Sequence, residues 1–97
     1  MVVGLAEMEL FLSEANSLKD KRQIVKSIVG KLQNKFNISI AEVGYNDLWQ
    51  RALIGISCVS QSDYQVKKIL STIERTVENL NKATIISFKI SIFSPHG

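Results

Sequence analysis

The sequence predicts an α+β domain in which two amphipathic helices cover one face of a four-stranded antiparallel sheet. Two observations lead to this fold class. Four stretches show apolar residues with a period of two, and two longer stretches show them with a helical period. The order is β-α-β-β-α-β, and right-handed crossovers then give the strand order 4-1-3-2, the ferredoxin-like sandwich. A chain of 97 residues is expected to form one domain over positions 1–97.

The first strand and the first helix meet at a short charged turn. Positions 2 to 13 alternate, which predicts a half-buried strand. Ser17 is the predicted N-cap of the following helix, and Asp20 lies three residues on, where it favours the positive end of the helix dipole. The helix should continue to about Phe36. Its predicted apolar face comprises Leu18, Val25, Ile28, Val29, Leu32 and Phe36.

The second half of the chain predicts a hairpin, a helix and a last strand. Positions 38–43 and 51–59 form strands joined by a turn at Tyr45-Asn46-Asp47. Ser62 and Gln65 fit a capping box that starts the second helix. The fourth strand is predicted over positions 83–93, followed by Pro95. Its expected inward residues are Ile86, Phe88, Ile90 and Ile92.

Composition and charge limit the classes of function. The net charge is +3 and the pI is about 9.2, which permits nucleic-acid binding without indicating it. One cysteine, Cys58, allows no internal disulfide. The first twelve residues carry Glu7 and Glu9 and do not resemble a signal peptide, and no apolar run approaches the roughly 18 residues of a membrane span. We therefore expect a cytoplasmic location and no membrane partner.

The topology brings two loops to one end of the domain. The turn at positions 16–22 and the hairpin loop at positions 45–51 should lie side by side, because the first and third strands are neighbours. The predicted site binds phosphate, RNA backbone or an acidic protein surface. Its candidate residues are Ser17, Lys19, Lys21, Arg22, Lys26, Trp49, Gln50 and Arg51. The alternative is that the basic residues are solvated or paired with nearby acids, and that Trp49 covers the core.

A second surface is the sheet face opposite the helices. The side chains expected there are Val3, Leu5, Phe11, Leu53, Val59 and Phe93, mixed with Glu7, Glu9 and Lys89. This face is more apolar than a solvated sheet face usually is. We expect it, or an edge strand, to form a homodimer or another protein interface.

The sequence contains few residues of the types that form a catalytic or metal site. His96, the single histidine, follows Pro95, and Cys58 occupies an inward strand position. No metal-ligand spacing, glycine-rich phosphate loop or Ser-His-Asp grouping is present. We expect neither a cofactor nor a metal. The third strand has no aromatic residue, which argues against base stacking on the sheet face.

Two motifs resemble a known family. Positions 17–22, Ser-Leu-Lys-Asp-Lys-Arg, and the segment Ala41-Glu42-Val43 followed by Asp47-Leu48-Trp49-Gln50-Arg51-Ala52 resemble the small bacterial YlxP-like proteins, domain of unknown function 503. The resemblance implies a cytoplasmic protein with a ferredoxin-like fold. The family's genes often lie beside those of a translation initiation factor and a ribosome-binding factor, which implies a link to RNA or the ribosome. It implies no established activity.

Three hypotheses follow from the residues and the resemblance. The leading one is a non-enzymatic factor that binds RNA or a ribosomal subunit through the basic end of the domain. Its rival is a dimeric protein-interaction module with no nucleic-acid role. The third is an enzyme that holds an anionic substrate at the start of the first helix.

Overall fold

The computed structural model describes residues 1–95, so His96 lies outside the described residues. The elements follow the predicted order. They are β1 (Val2–Phe11), α1 (Leu18–Lys35), β2 (Ser39–Gly44), β3 (Arg51–Ser60), α2 (Asp63–Leu80) and β4 (Thr84–Phe93).

All strand pairs are antiparallel, and the sheet order is β2-β3-β1-β4. This is the predicted order 4-1-3-2 written from the other edge, so the ferredoxin-like fold class is confirmed. β1 lies between β3 and β4, which makes β4 and β2 the two edge strands. Within residues 1–95, neither helix combines the length and the apolar character that crossing a membrane requires.

The core lies between the helices and the inward face of the sheet. Inward residues of β1 and β3 alternate with outward ones, as expected for strands with one face buried. α1 buries Val25, Ile28 and Leu32, and α2 buries Val66, Leu70, Ile73 and Val77. Burial of these side chains is the main driving force for the fold.

The helix starts are capped as the sequence predicts. The Ser17 hydroxyl accepts a hydrogen bond from the Asp20 backbone N–H at 3.1 Å, and the Ser62 hydroxyl accepts one from the Gln65 N–H at 3.2 Å. α2 ends at Leu80 and is capped by Asn81, which adopts a left-handed conformation with φ of 55°.

The inward face of β4 differs from the prediction because of a β-bulge. Glu9 of β1 pairs with Ser87 of β4, but the next residue, Leu10, pairs with Ile85. Ile86 is therefore the extra residue of the bulge. Ile85 packs on the core and Ile86 is exposed, so the prediction that Ile86 points inward is wrong. Ile90 keeps the inward register opposite Ala6 but stays 41% exposed on this edge strand.

Gly4 and Cys58 lie opposite each other where α2 packs closely on the sheet. A Cβ atom on Gly4 would overlap Cγ1 of Val66 and lie 3.2 Å from the Cys58 sulfur. Burial raises the pKa of the Cys58 thiol, and a hydrogen bond with the Gly4 backbone partly offsets the shift. The thiol is therefore buried and predominantly protonated at neutral pH, as a quiet core residue should be.

Two glycine substitutions test this packing. Gly4→Ala should lower the free energy of unfolding by about 1–3 kcal/mol, because the added methyl group must displace Val66. Gly30→Ala is the matched control within α1, where nothing lies within 4 Å of the added methyl group. It should raise stability by about 0.5–1 kcal/mol. Urea unfolding monitored by circular dichroism measures both, and equal effects would contradict the close packing at Gly4.

Candidate functional site

The two predicted loops do lie side by side, and Gln50 joins them. The Leu12 backbone N–H donates to the Gln50 carbonyl at 2.8 Å, which extends the pairing of β1 and β3 beyond Phe11. The Gln50 side-chain Nε2 donates to the carbonyls of Ser13 and Ala15 at 3.2 and 3.3 Å. Gln50 therefore connects the hairpin loop to the β1–α1 turn, and its amide nitrogen is occupied by this role.

The start of α1 already carries its own anion. Asp20 accepts a hydrogen bond from the Asn16 backbone N–H at 3.1 Å, while its own N–H is bound by Ser17. A carboxylate in the first turn satisfies part of the helix dipole. The Ser17 hydroxyl is consequently a capping group, and the structure gives it no ligand-facing geometry.

Lys21 differs most from its predicted position. We expected an exposed cation, but the side chain has 0% exposure. Its Nζ lies 2.6 Å from Oε2 of Glu42 on β2 and donates to the Tyr45 carbonyl at 2.5 Å. The prediction that Lys21 contacts an external anion is therefore wrong, because its charge is neutralised inside the domain.

The sequence did contain a signal for this burial. Lys21 precedes Val25, Ile28 and Leu32 at the four-, seven- and eleven-residue spacing of a buried helix stripe. Glu42 follows the buried Ile40 by two residues and so shares its inward face of β2. An ammonium and a carboxylate at inward positions of packed elements are expected to pair, since an unpaired buried charge is strongly disfavoured.

The same contact holds an unusual backbone conformation. Tyr45 has φ of 60°, a left-handed geometry that is strained for a residue with a large side chain. Its carbonyl accepts from Lys21 Nζ and also from the Leu48 N–H at 3.0 Å. A β-bulge between Glu42 and Gly44 precedes it. Lys21 thus stabilises the turn by which the hairpin loop leaves β2.

Arg51 lies on the outer face of the sheet, the face opposite the helices. Its guanidinium pairs with the carboxylate of Glu9 on the neighbouring strand β1. The same guanidinium lies over the Tyr45 ring, 5.4 Å from its centroid. Arg51 is thus a basic residue that pairs with a nearby acid, as the alternative interpretation of these cations held. The side chain keeps 43% exposure, so part of it still faces solvent.

The cations that remain exposed lie on α1. Lys19, Arg22 and Lys26 are exposed, and none forms an ion pair within residues 1–95. Trp49 is 55% exposed on the adjoining hairpin loop, so it does not cover the core. We call Lys19, Arg22, Lys26 and Trp49 the basic pole. A depression of about 410 Å³ adjoins it, lined by residues 47–51.

The described residues offer no evident metal centre. Across positions 1–95, no group of three or more His, Cys, Asp or Glu side chains is placed to hold a metal ion. The carboxylates of Glu9 and Glu42 are each paired with a cation of the same domain.

Comparison with known proteins agrees with the two sequence motifs. Residues 3–90 match the model of the family described as "Protein of unknown function (DUF503)". The chain is 47% identical over 72 residues to "Uncharacterized protein YlxP" of Bacillus subtilis (strain 168), covering 74% of this chain and 78% of that protein. The resemblance stated from the motifs is confirmed.

Solved structures agree with the fold. A de novo designed protein with ferredoxin fold, determined by NMR in solution, aligns with a TM-score of 0.55 at 17% identity and covers 100% of this chain and 88% of its own. The de novo designed protein Foldit4 aligns with a TM-score of 0.55 at 11% identity, over 97% of this chain and 98% of its own. At these identities the likeness concerns the fold alone.

The buried pair gives a testable prediction. Glu42→Ala should lower the free energy of unfolding by about 2–4 kcal/mol, because it leaves the Lys21 ammonium buried without a counter-charge. The double variant Lys21→Met/Glu42→Leu should recover most of this loss, since it removes both charges. Urea unfolding measures both.

The control for this prediction is Glu14→Ala, which removes an exposed carboxylate with no ion pair among residues 1–95. It should change stability by less than about 0.5 kcal/mol. If the double variant is no more stable than Glu42→Ala, the charges are not coupled and the interpretation is wrong.

Proposed function

The chain belongs to the DUF503 family of proteins of unknown function, and from the geometry of its basic pole we propose that it is a non-enzymatic factor that binds single-stranded RNA or the RNA of a ribosomal subunit. We place this activity in the cytoplasm. The observation that carries the proposal is a row of exposed, unpaired cations on α1, together with an exposed tryptophan on the hairpin loop that is hydrogen-bonded to the turn before α1.

The row of cations has the geometry of a backbone contact. Lys19, Arg22 and Lys26 are separated by three and four residues, so they share one side of α1 and extend over about 10 Å. Arg22 can donate two parallel N–H bonds to one phosphate, while the lysines act as point charges. Neutralising phosphates in this way releases counterions, and binding should therefore fall as salt rises.

Trp49 supplies a surface for a base. Its ring lies on the hairpin loop, which Gln50 and Lys21 tie to the start of α1. A nucleobase stacked on an exposed aromatic ring contributes about 1–3 kcal/mol without requiring a particular sequence. Tyr45 is less suited to this role, since Arg51 lies over its ring.

The ion pairs of Lys21 with Glu42 and of Arg51 with Glu9 support the basic pole without using any of its exposed cations. Because Lys21 and Arg51 are each bound to a carboxylate, we expect them to position the hairpin loop that carries Trp49. We therefore assign direct RNA contact to the basic pole and a supporting role to Ser17, Lys21, Gln50 and Arg51. A pre-organised surface loses less conformational entropy on binding than a flexible one.

Charge reversal tests the proposal. Arg22→Glu/Lys26→Glu should weaken binding of a twelve-nucleotide single-stranded RNA at least about tenfold, and Trp49→Ala should weaken it about tenfold. The plot of log affinity against log salt should have a slope of about −2 for three phosphate contacts. Fluorescence anisotropy measures the affinities, and co-sedimentation with ribosomal subunits at two salt concentrations tests the larger partner.

Lys67→Glu/Lys68→Glu is the matched control, because it makes the same change in net charge on α2. It should alter RNA affinity less than about threefold. Equal weakening by both double variants would mean that only bulk charge acts. Absence of salt-dependent RNA binding would overturn the proposal.

The outer sheet face favours a second candidate, a dimeric interaction module. Exposed apolar side chains occupy outward positions of β1, β2, β3 and β4: Leu5, Phe11, Val43, Val59 and Phe93. Leu5 and Val43 of this set line a shallow depression of about 580 Å³, at whose centre Gly55 contributes no side chain. Glu7 lies directly opposite Lys89, so a two-fold axis could set each against the opposite charge of a second copy.

Self-association gives its own prediction. The protein should be a dimer at about 0.1 mM, and Val59→Glu/Phe93→Glu should make it monomeric, because these residues flank Val3 in one row of the apolar face. Size-exclusion chromatography with light scattering measures the mass. Tyr64→Glu on the exposed flank of α2 is the control and should leave the mass unchanged. A wild-type monomer at about 0.1 mM would contradict this candidate.

A further inference from the structure

A groove runs between α2 and the edge strand β4, away from the basic pole and from the outer sheet face. Its volume is about 820 Å³. The helix side is formed by Tyr64, Lys67, Lys68, Ser71 and Arg75. Ile90 and Ile92 of β4 form its apolar floor.

The groove is basic on its helix side. Its α2 residues are spaced at three and four positions, so they share one face of the helix, and no acidic residue lines the groove. Lys67, Lys68 and Arg75 are exposed and form no ion pair with any residue in the range 1–95. Arg75 donates only to the Thr72 hydroxyl, at 3.3 Å. Three cations therefore face an apolar floor without a counter-charge.

The floor of the groove belongs to an unprotected sheet edge. β4 pairs with β1 on one side and, within the described part of the chain, with no strand on the other. Its register is regular from Ser87 to Phe93, since the bulge lies at Ile86. Lys89 is its only charged residue. Long regular edges with free N–H and C=O groups are templates for strand addition.

We propose that this groove binds an extended acidic segment of a partner protein, which adds to β4 as a fifth strand. Main-chain hydrogen bonds to the free edge would give affinity. Side chains on the helix-facing side of the added strand would enter the groove. Carboxylates there would neutralise Lys67, Lys68 and Arg75, and an apolar side chain between them would cover Ile90.

The spacing of the cations predicts the pattern of the segment. From Lys67 and Lys68 to Arg75 is about two helical turns, or roughly 11 Å along α2. Side chains on one face of a strand repeat about every 6.7 Å, so two acidic residues four positions apart span about 13 Å. The expected motif is an acidic residue, any residue, an apolar residue, any residue and a second acidic residue.

A second copy of the chain is a poorer occupant of this edge. β4 contains Lys89 and no acidic residue. Antiparallel pairing of two β4 edges would bring two sets of unpaired cations together, which opposes association. The charge of the groove therefore favours an acidic partner. This inference does not depend on RNA binding, because it concerns α2 and β4 rather than α1.

Short peptides test the motif directly. The probe is fluorescein-labelled Thr-Glu-Thr-Val-Thr-Glu-Thr, which places both carboxylates on the side of the valine. Moving the second glutamate one position toward the N-terminus keeps the charge but turns that carboxylate to the opposite face. We expect saturable binding of the first peptide by anisotropy and about tenfold weaker binding of the second. Equal affinities would overturn the strand-addition geometry.

Variants and hydrogen exchange locate the binding. Lys68→Glu/Arg75→Glu should weaken the peptide at least about tenfold, while Lys19→Glu/Lys26→Glu, with the same change in charge, should leave affinity within about twofold. Backbone amides of residues 88–92 should exchange more slowly with peptide bound. No binding at millimolar peptide, protection of these amides by RNA instead, or their protection by self-association in the free protein would each overturn the proposal.

Discussion

The contact between Lys21, Glu42 and the Tyr45 carbonyl positions the rest of the candidate site. An ammonium with no solvent exposure can remain charged there only because a carboxylate and a carbonyl surround it. The contact joins α1 to the end of β2 and to the hairpin loop at once. It also supports the left-handed Tyr45, which directs the loop toward the start of α1. The loop that carries Trp49 is therefore held at the start of the helix that carries the exposed cations.

The charges near this end of the domain divide into internal and external groups. In the segment from Lys19 to Arg22, the helical period sends Lys21 inward, while Asp20 binds the backbone of the turn. Arg51 pairs with Glu9 on the opposite face of the sheet. The cations predicted to form one anion site thus separate into Lys21 and Arg51, which form ion pairs within the domain, and a smaller exposed row on α1. This smaller row is the surface to which we assign RNA contact.

The two helices cover the same face of the sheet, α1 on the side of β2 and α2 on the side of β4, and they expose different kinds of surface. α1 combines its cations with an aromatic ring on a neighbouring loop, a combination suited to phosphates and bases. α2 combines its cations with an apolar floor and a free strand edge, a combination suited to an extended acidic chain. A protein with both surfaces could hold an RNA and a protein partner together. The fold itself, shared with designed proteins, implies neither partner.

Local patterns in the sequence determined the order of elements, the strand order, the two N-caps and the inward residues of β1 and β3, because period and capping act between near neighbours. They also placed the two loops together through the topology. Only the tertiary structure decided which carboxylate each cation meets, that Gln50 bridges two loops, and that a bulge turns Ile86 outward. Those outcomes depend on distances between elements far apart in the chain, to which local periodicity does not respond. The burial of Lys21 lies between these cases, since its helical spacing predicts it but its charge argues against it until Glu42 is in place.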